Sequence, residues 1–209
     1  MPDADSTTLR TAALHLFIQT TEIHLLRIGD MNILSFLHVT LVFIRHLSYY
    51  PSATSLIFPH FPWNSLVDAL NAVTVPQSTH EVIESPAFPG FDPDLSHLET
   101  PHIEGGNKAS EPYKYTTYPF PEDRAMQGLP FAKAYFPEGW FTEKNAEPDT
   151  HYLEAETTSS QHRPVRIRWL GVVISRLAGE WMGYGGVGLF FVGEKAKCGA
   201  VTTARHNGI

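Results

Sequence analysis

Cysteine is nearly absent from this chain. Cys198 stands alone, which excludes an internal disulfide and every zinc site built from several thiolates, and fits a reducing compartment. Positive charge is scarce as well. Fifteen Lys and Arg against 22 Asp and Glu leave a formal net charge of -7, so the chain cannot coat nucleic acid by charge alone, and any such contact must be local. No apolar run reaches the roughly 20 residues a bilayer requires. The most hydrophobic stretch, ILSFLHVTLVFI at 33–44, is interrupted by His38 and stopped by Arg45; it reads as a buried helix, and no membrane partner is expected. Asp3 and Asp5 stand where a secretory signal would carry positive charge. The signatures of catalysis are missing too, with no G-x-S-x-G, no P-loop and no H-E-x-x-H among 11 scattered histidines. Gly183, Gly185 and Gly188 satisfy G-x-G-x-x-G, but a predicted helix precedes them and LFFV follows, the reverse of the strand-then-helix order a dinucleotide site needs. No cofactor, no metal site and no enzymatic activity are therefore expected.

What the sequence does hold is enough apolar material for the core of one domain, 43% of 209 residues, together with 16 prolines and 15 glycines that make part of it irregular. Ser6 is placed to cap a helix reaching about Arg27. Leu9, Ala12, Ala13, Leu16, Thr20 and Ile23 share one face of it, and Leu14, Ile18 and Leu25 the opposite one. A helix apolar on two faces belongs between two layers, as in stacked helical hairpins. After a turn at Gly29 and Asp30, Asn32 opens a second helix through about Tyr49, with Ile33, Phe36, Leu37, Ile44 and Leu47 inward. Ser35, His38, Arg45 and His46 lie on its polar side, and His38 with Arg45 reads as a solvated face. A short helix is expected over 51–58, and Asn64 caps another carrying Leu66, Val67, Leu70 and Val73. From 76 to 118 the period disappears among Ser, Pro, Gly, Asp and Glu, which predicts a long surface loop or a disordered insert. The expected fold class is all-α, built from helical hairpins of the tetratricopeptide-like or α-α superhelix kind, with long irregular loops.

The stretch 119–141, PFPEDRAMQGLPFAKAYFPEGWF, organises the rest. Pro121, Glu122 and Asp123 mark a helix start, with the acids near the positive end of the helix dipole. Ala125, Met126, Leu129, Ala132 and Lys133 follow at helical spacing, Pro137 ends the run, and Tyr135, Phe136, Trp140 and Phe141 form an aromatic exit. On residue chemistry alone this is a packing plug. Glu122 and Asp123 should stay ionised at a helix N-terminus, the wrong state for a general acid, so capping explains them better. Beyond the polar segment 142–161, Pro164 is expected in the first turn of a helix reaching about Ala178, with Ile167, Leu170, Ile174 and Leu177 inward. Arg163, Arg166, Arg168 and Arg176, joined by His162, are the one basic concentration. Arg163, Arg166 and Arg168 could contact phosphates and Trp169 could stack a base; ion pairing with neighbouring helices and core packing are the structural alternatives. From Gly179 a glycine-rich texture predicts a frayed or read-through terminus.

The pattern P-E-D-x-A-x-x-G-L-x-x-A-x-x-Y-F-P-x-x-W-F, carrying Gly128 and Leu129 between its acids and aromatics, resembles the DNA/RNA-binding domain of the Est/SMG family in its fungal form. That family comprises telomerase-associated and nonsense-mediated mRNA decay factors. FLHVTLVFIRHLSYYP and FPWNSLVDALNAV resemble its preceding helical hairpin, and RIRWLGVVISRLA its arginine-flanked R-I-L-W-L-G helix, all in the same order across 31–178. In that helix the resemblance implies an unbroken path through the Pro164 position. It divides the chain into hairpins over 1–75, a loop over 76–118, motif helices over 119–178 and an atypical tail over 179–209. It implies a non-catalytic scaffold in the nucleus or cytoplasm whose partners are RNA or single-stranded DNA, weakly held, and proteins of the mRNA decay or telomerase machinery. The family's phosphopeptide pocket and PIN-type nuclease are not expected here. The alternatives are a truncated product with no independent role, or a nucleotide- or metal-dependent enzyme.

Overall fold

The apolar run at 33–44 does form a buried helix, and its entry is set by Asp30 rather than Asn32. The Asp30 carboxylate accepts the Asn32 N–H at 2.8 Å and starts a 3-10 turn, Met31–Ile33, that leads into helix α2, Leu34–Leu47. Leu34, Leu37, Leu41, Ile44 and Leu47 recur at helical spacing and are buried. The computed structural model describes residues 4–89, 119–141 and 152–197. Around α2 it places α1, Ala4–Leu25; α3, Pro51–Ile57; α4, Trp63–Ala72; α5, His80–Glu84; α6, Pro121–Met126; and α7, Tyr152–Leu177. Two short strands follow, β1, Met182–Tyr184, and β2, Phe190–Val192. The chain is predominantly α-helical, and no described helix is long and apolar enough to cross a membrane.

α7 is the axis of the molecule. It lies along α2 and also meets α4, α5 and β1, so its residues from His162 to Gly171 are buried on almost every side. Val165, Ile167, Leu170 and Ile174 join Leu37, Leu41, Leu66 and Leu70 in one core, which unites the segments 1–75 and 119–178. Pro164 is not at the start of this helix but inside it, and the helix runs unbroken past it although the carbonyl of residue 160 loses its N–H partner.

Several expectations change. Ser6 sits within α1 rather than capping it, and α4 begins at Trp63, with Asn64 exposed and making no cap bond. The segment after Pro76 is not all loop, because a 3-10 turn, Gln77–Thr79, and α5 pack Ile83 into the core. α6 ends after six residues. Gly128 turns the chain at φ 83, a left-handed conformation that favours glycine, and Pro130 lacks the N–H needed to continue.

The glycine-rich stretch after Gly179 folds into a hairpin instead of fraying. β1 and β2 pair antiparallel with Tyr184 opposite Phe190, and Met182 and Phe190 enter the core. Gly183 sits where a Cβ would fall 2.2 Å from the Phe191 ring, so the side-chain-free strand lets that ring lie across it. Asn71 of α4 closes the outer side of β2: its amide donates to the Phe190 carbonyl at 3.0 Å, and its oxygen accepts the Phe190 N–H at 2.9 Å. The expectations for 90–118, for 142–151 and for Cys198 lie outside the described residues.

Candidate functional site

The most concentrated chemistry in the molecule lies where α6 docks between α2 and α7. Asp123 reaches back to accept the Phe120 N–H at 3.0 Å, the return half of a capping box, and so anchors the start of α6. Its neighbour Glu122 then points toward both long helices. Arg163 of α7 grips it with two bonds, Nε to Oε1 at 2.6 Å and Nη2 to Oε2 at 3.1 Å. His38 of α2 donates from Nδ1 to the same Oε1 at 3.2 Å, since an ionised carboxylate can only accept, and Ser35 donates to Oε2 at 3.4 Å. Burial alone would raise the Glu122 pKa, but the bonds from His38 and Arg163 outweigh it and hold the carboxyl down at about 2, against an ordinary 4.5.

The network continues into the aromatic exit. The Tyr135 hydroxyl lies 2.6 Å from His38 Nε2; burial pushes the phenol well above its ordinary value, so it keeps its proton and donates it to that nitrogen. Arg166 donates to Asp123 Oδ2 at 2.5 Å, and its guanidinium carbon sits 4.2 Å from the Phe120 ring centre, 4.8 Å from Phe88 and 4.9 Å from Trp140. Asp123 Oδ1 and Arg166 Nε have no hydrogen-bond partner among the described residues. A buried acid and a buried base are thus paired by one strong bond and an aromatic cage.

This geometry replaces two readings of the sequence. His38 is fully buried, so the polar side of α2 is not a solvated face but the wall on which α6 seats its acids. Arg166 and Arg168 are 1% and 5% exposed, and in this conformation neither can reach a phosphate. Arg168 donates to the carbonyls of Leu70 and Val73 at 3.1 and 3.3 Å and to that of Gly188, tying the open C-terminal end of α4 to the hairpin turn. Burial lowers its pKa below the ordinary guanidinium value, with Tyr184 partly restoring it. Arg163 is the one of the three with an accessible edge. Trp169 is buried and donates its indole N–H to Ser85 O at 2.9 Å, which excludes base stacking there. Arg176 bonds the Glu84 carbonyl at 2.7 Å.

The remaining motif residues are structural. Pro121 occupies the first turn of α6, Gly128 and Leu129 form its exit, and Leu129 is part exposed. Tyr135 packs on Phe136, Phe136 and Phe141 meet edge to face at 4.7 Å behind Pro137, and Trp140 is buried against Phe88 at 5.1 Å.

Compared with protein-family models, curated proteins and solved structures, the chain has no match.

Sequence reasoning missed a second surface, at the C-terminal end of α2. Tyr49 and Tyr50 are both about half exposed; the His46 ring lies 4.9 Å from Tyr50, and the Arg45 guanidinium 5.6 Å from Tyr49. Arg45 also donates to the Ala134 carbonyl at 3.2 Å, which brings the exposed Lys133 alongside. Two aromatic faces beside cationic groups are what a single strand stacks on, and the adjacent R-H-x-x-Y-Y letters carried that signal. A cleft of about 320 Å³ lies elsewhere, between Met31, Leu34, Val73 and Pro164. Its walls are mainly apolar, and no three His, Cys, Asp or Glu side chains converge on a metal-sized space among the described residues.

Proposed function

We propose that this chain is a non-catalytic scaffold of the kind its Est/SMG resemblance implies, made of tetratricopeptide-like helical hairpins. It works with proteins of the mRNA decay or telomerase machinery in the nucleus or cytoplasm and touches RNA or single-stranded DNA only weakly. The observation that supports this reading is the internal use of the basic cluster: Arg166 serves Asp123 and Arg168 serves backbone carbonyls, so the one concentration of arginine is spent on holding helices together. The residues with acid-base potential are spent in the same way. Glu122, at about 2, carries no proton to give near neutral pH, and His38 is enclosed between it and Tyr135.

Weak single-strand contact is assigned to Tyr49, Tyr50, His46 and Arg45. An acidic chain with so few available cations has a shallow salt slope and an affinity that fades by about 0.15 M salt. Fluorescence anisotropy with short single-stranded RNA and telomere-like DNA at two salt concentrations tests this, using Tyr49→Ala/Tyr50→Ala and Arg163→Ala variants. Binding seen only at low salt and lost in the tyrosine variant is the expected result. Submicromolar affinity at about 0.15 M salt, or binding abolished by Arg163→Ala in a protein of unchanged melting temperature, overturns it.

A further inference from the structure

α1 uses only one side. Phe17, Ile18, Thr21 and Leu25 face the core, while Leu9, Leu16 and Ile23 stand 71%, 66% and 64% exposed on the opposite face. A helix apolar on both sides was expected to lie between two layers, and the described residues supply one.

The exposed side has a seven-residue rhythm. Leu9, Leu16 and Ile23 form one row, and the exposed Ser6 and Ala13 with the half-buried Thr20 form a second row three positions before each, so large and small side chains alternate along a narrow seam. Such a strict heptad stripe is the signature of helix-on-helix packing at a shallow crossing angle. Its occupant is constrained by size. In a parallel pair of identical seams, small residues would meet small ones and leave voids, while leucines would crowd leucines. In an antiparallel pair every layer joins one large side chain to one small one: Ile23 to Ser6, Leu9 to Thr20 and Leu16 to Ala13, each twice about a two-fold axis.

Charge favours the same order. None of these six positions is charged, and the flanking Arg10 of each copy would lie roughly 13 Å from its counterpart along the axis, beyond a Debye length of about 8 Å. The helix dipoles also oppose favourably when antiparallel. The seam covers on the order of 1,000 Å² over both copies, the lower bound for a specific interface.

We infer that the outer face of α1 is a self-association surface on which a second copy of this chain docks its own α1 antiparallel, with leucine seated over alanine at the centre. This inference is independent of the scaffold reading. An interface of that size falls among the weak, reversible ones.

Sedimentation equilibrium of the full chain across low to high micromolar concentration tests it, alongside Leu16→Glu and Ala13→Leu variants. Both sites are exposed, so both variants should keep the parent melting temperature. The expected result is a concentration-dependent monomer–dimer equilibrium weakened at least about tenfold by either change. The two variants separate a shaped seam from mere stickiness, because Ala13→Leu adds apolar surface yet overfills the small row. A chain that stays monomeric throughout overturns the inference, as does an Ala13→Leu protein that associates more tightly than the parent.

Discussion

Replacing Glu122 with Gln removes one charge from the junction of α2, α6 and α7 while keeping its shape, and acid stability should report the loss. A carboxyl held at about 2 in the folded chain and near 4.5 when unfolded contributes about 3 kcal/mol. Because the folded value is the lower one, that contribution is complete above pH 4.5 and disappears as the pH falls through 4.5 toward 2. The side chain is only 6% exposed, so little of it is screened away. The amide oxygen of the substituted side chain could still accept from Arg163 and His38, which confines the loss to the charge. The measurement is urea unfolding at several pH values between 7 and 3, followed by fluorescence of Trp140 and Trp169, which sit beside the network. The parent should lose stability faster than the variant below pH 5, the gap of about 3 kcal/mol at pH 7 closing as acid is added. Curves that stay parallel over that range would show that Glu122 is not the group holding this junction.

Trp140→Ala should cost on the order of 3 to 5 kcal/mol, since the indole is buried under Arg166 and against Phe88; a loss below about 0.5 kcal/mol would mean that the ring is dispensable. Gly171→Ala places a Cβ 2.7 Å from the buried Phe190 ring, and the overpacking should outweigh the gain in helix propensity to leave a net loss of about 1 to 2 kcal/mol. A variant more stable than the parent would show that the ring has room to move. Hydrogen exchange should find protected amides at the C-terminal end of α5, where Ser85 donates to the Glu81 carbonyl at 3.0 Å and Ile83 is buried; rapid exchange there would return the segment to the loop that composition predicts.

The helices that repeat apolar residues at regular spacing, α2 and α4, were legible because periodicity reports directly which face is apolar. Periodicity does not report what the other face meets. Ser35 and His38 gave the same pattern a solvated stripe would give, and only the arrival of Glu122 from more than eighty positions away distinguishes the two. The arginines pose the same problem. Arg163 and Arg166, three positions apart on α7, match the adjacent acids Glu122 and Asp123, but helical phase alone does not choose between a carboxylate inside and a phosphate outside. α6 was read too long because Leu129 and Ala132 kept the apolar rhythm while Gly128 and Pro130 broke the backbone. The hairpin went unseen because three-residue strands are too short to show alternation and glycine carries no polarity to alternate.

A two-stranded ribbon in a helical chain has open hydrogen-bonding edges, and such an edge is a template on which another extended chain can grow. The paired bonds from Asn71 to Phe190 occupy both backbone groups of the first residue of β2, so a helix side chain stands where a third strand would begin. Asn71→Leu would keep the apolar contact yet expose that template. The same amide that fastens the ribbon to α4 therefore also fills the start of that edge.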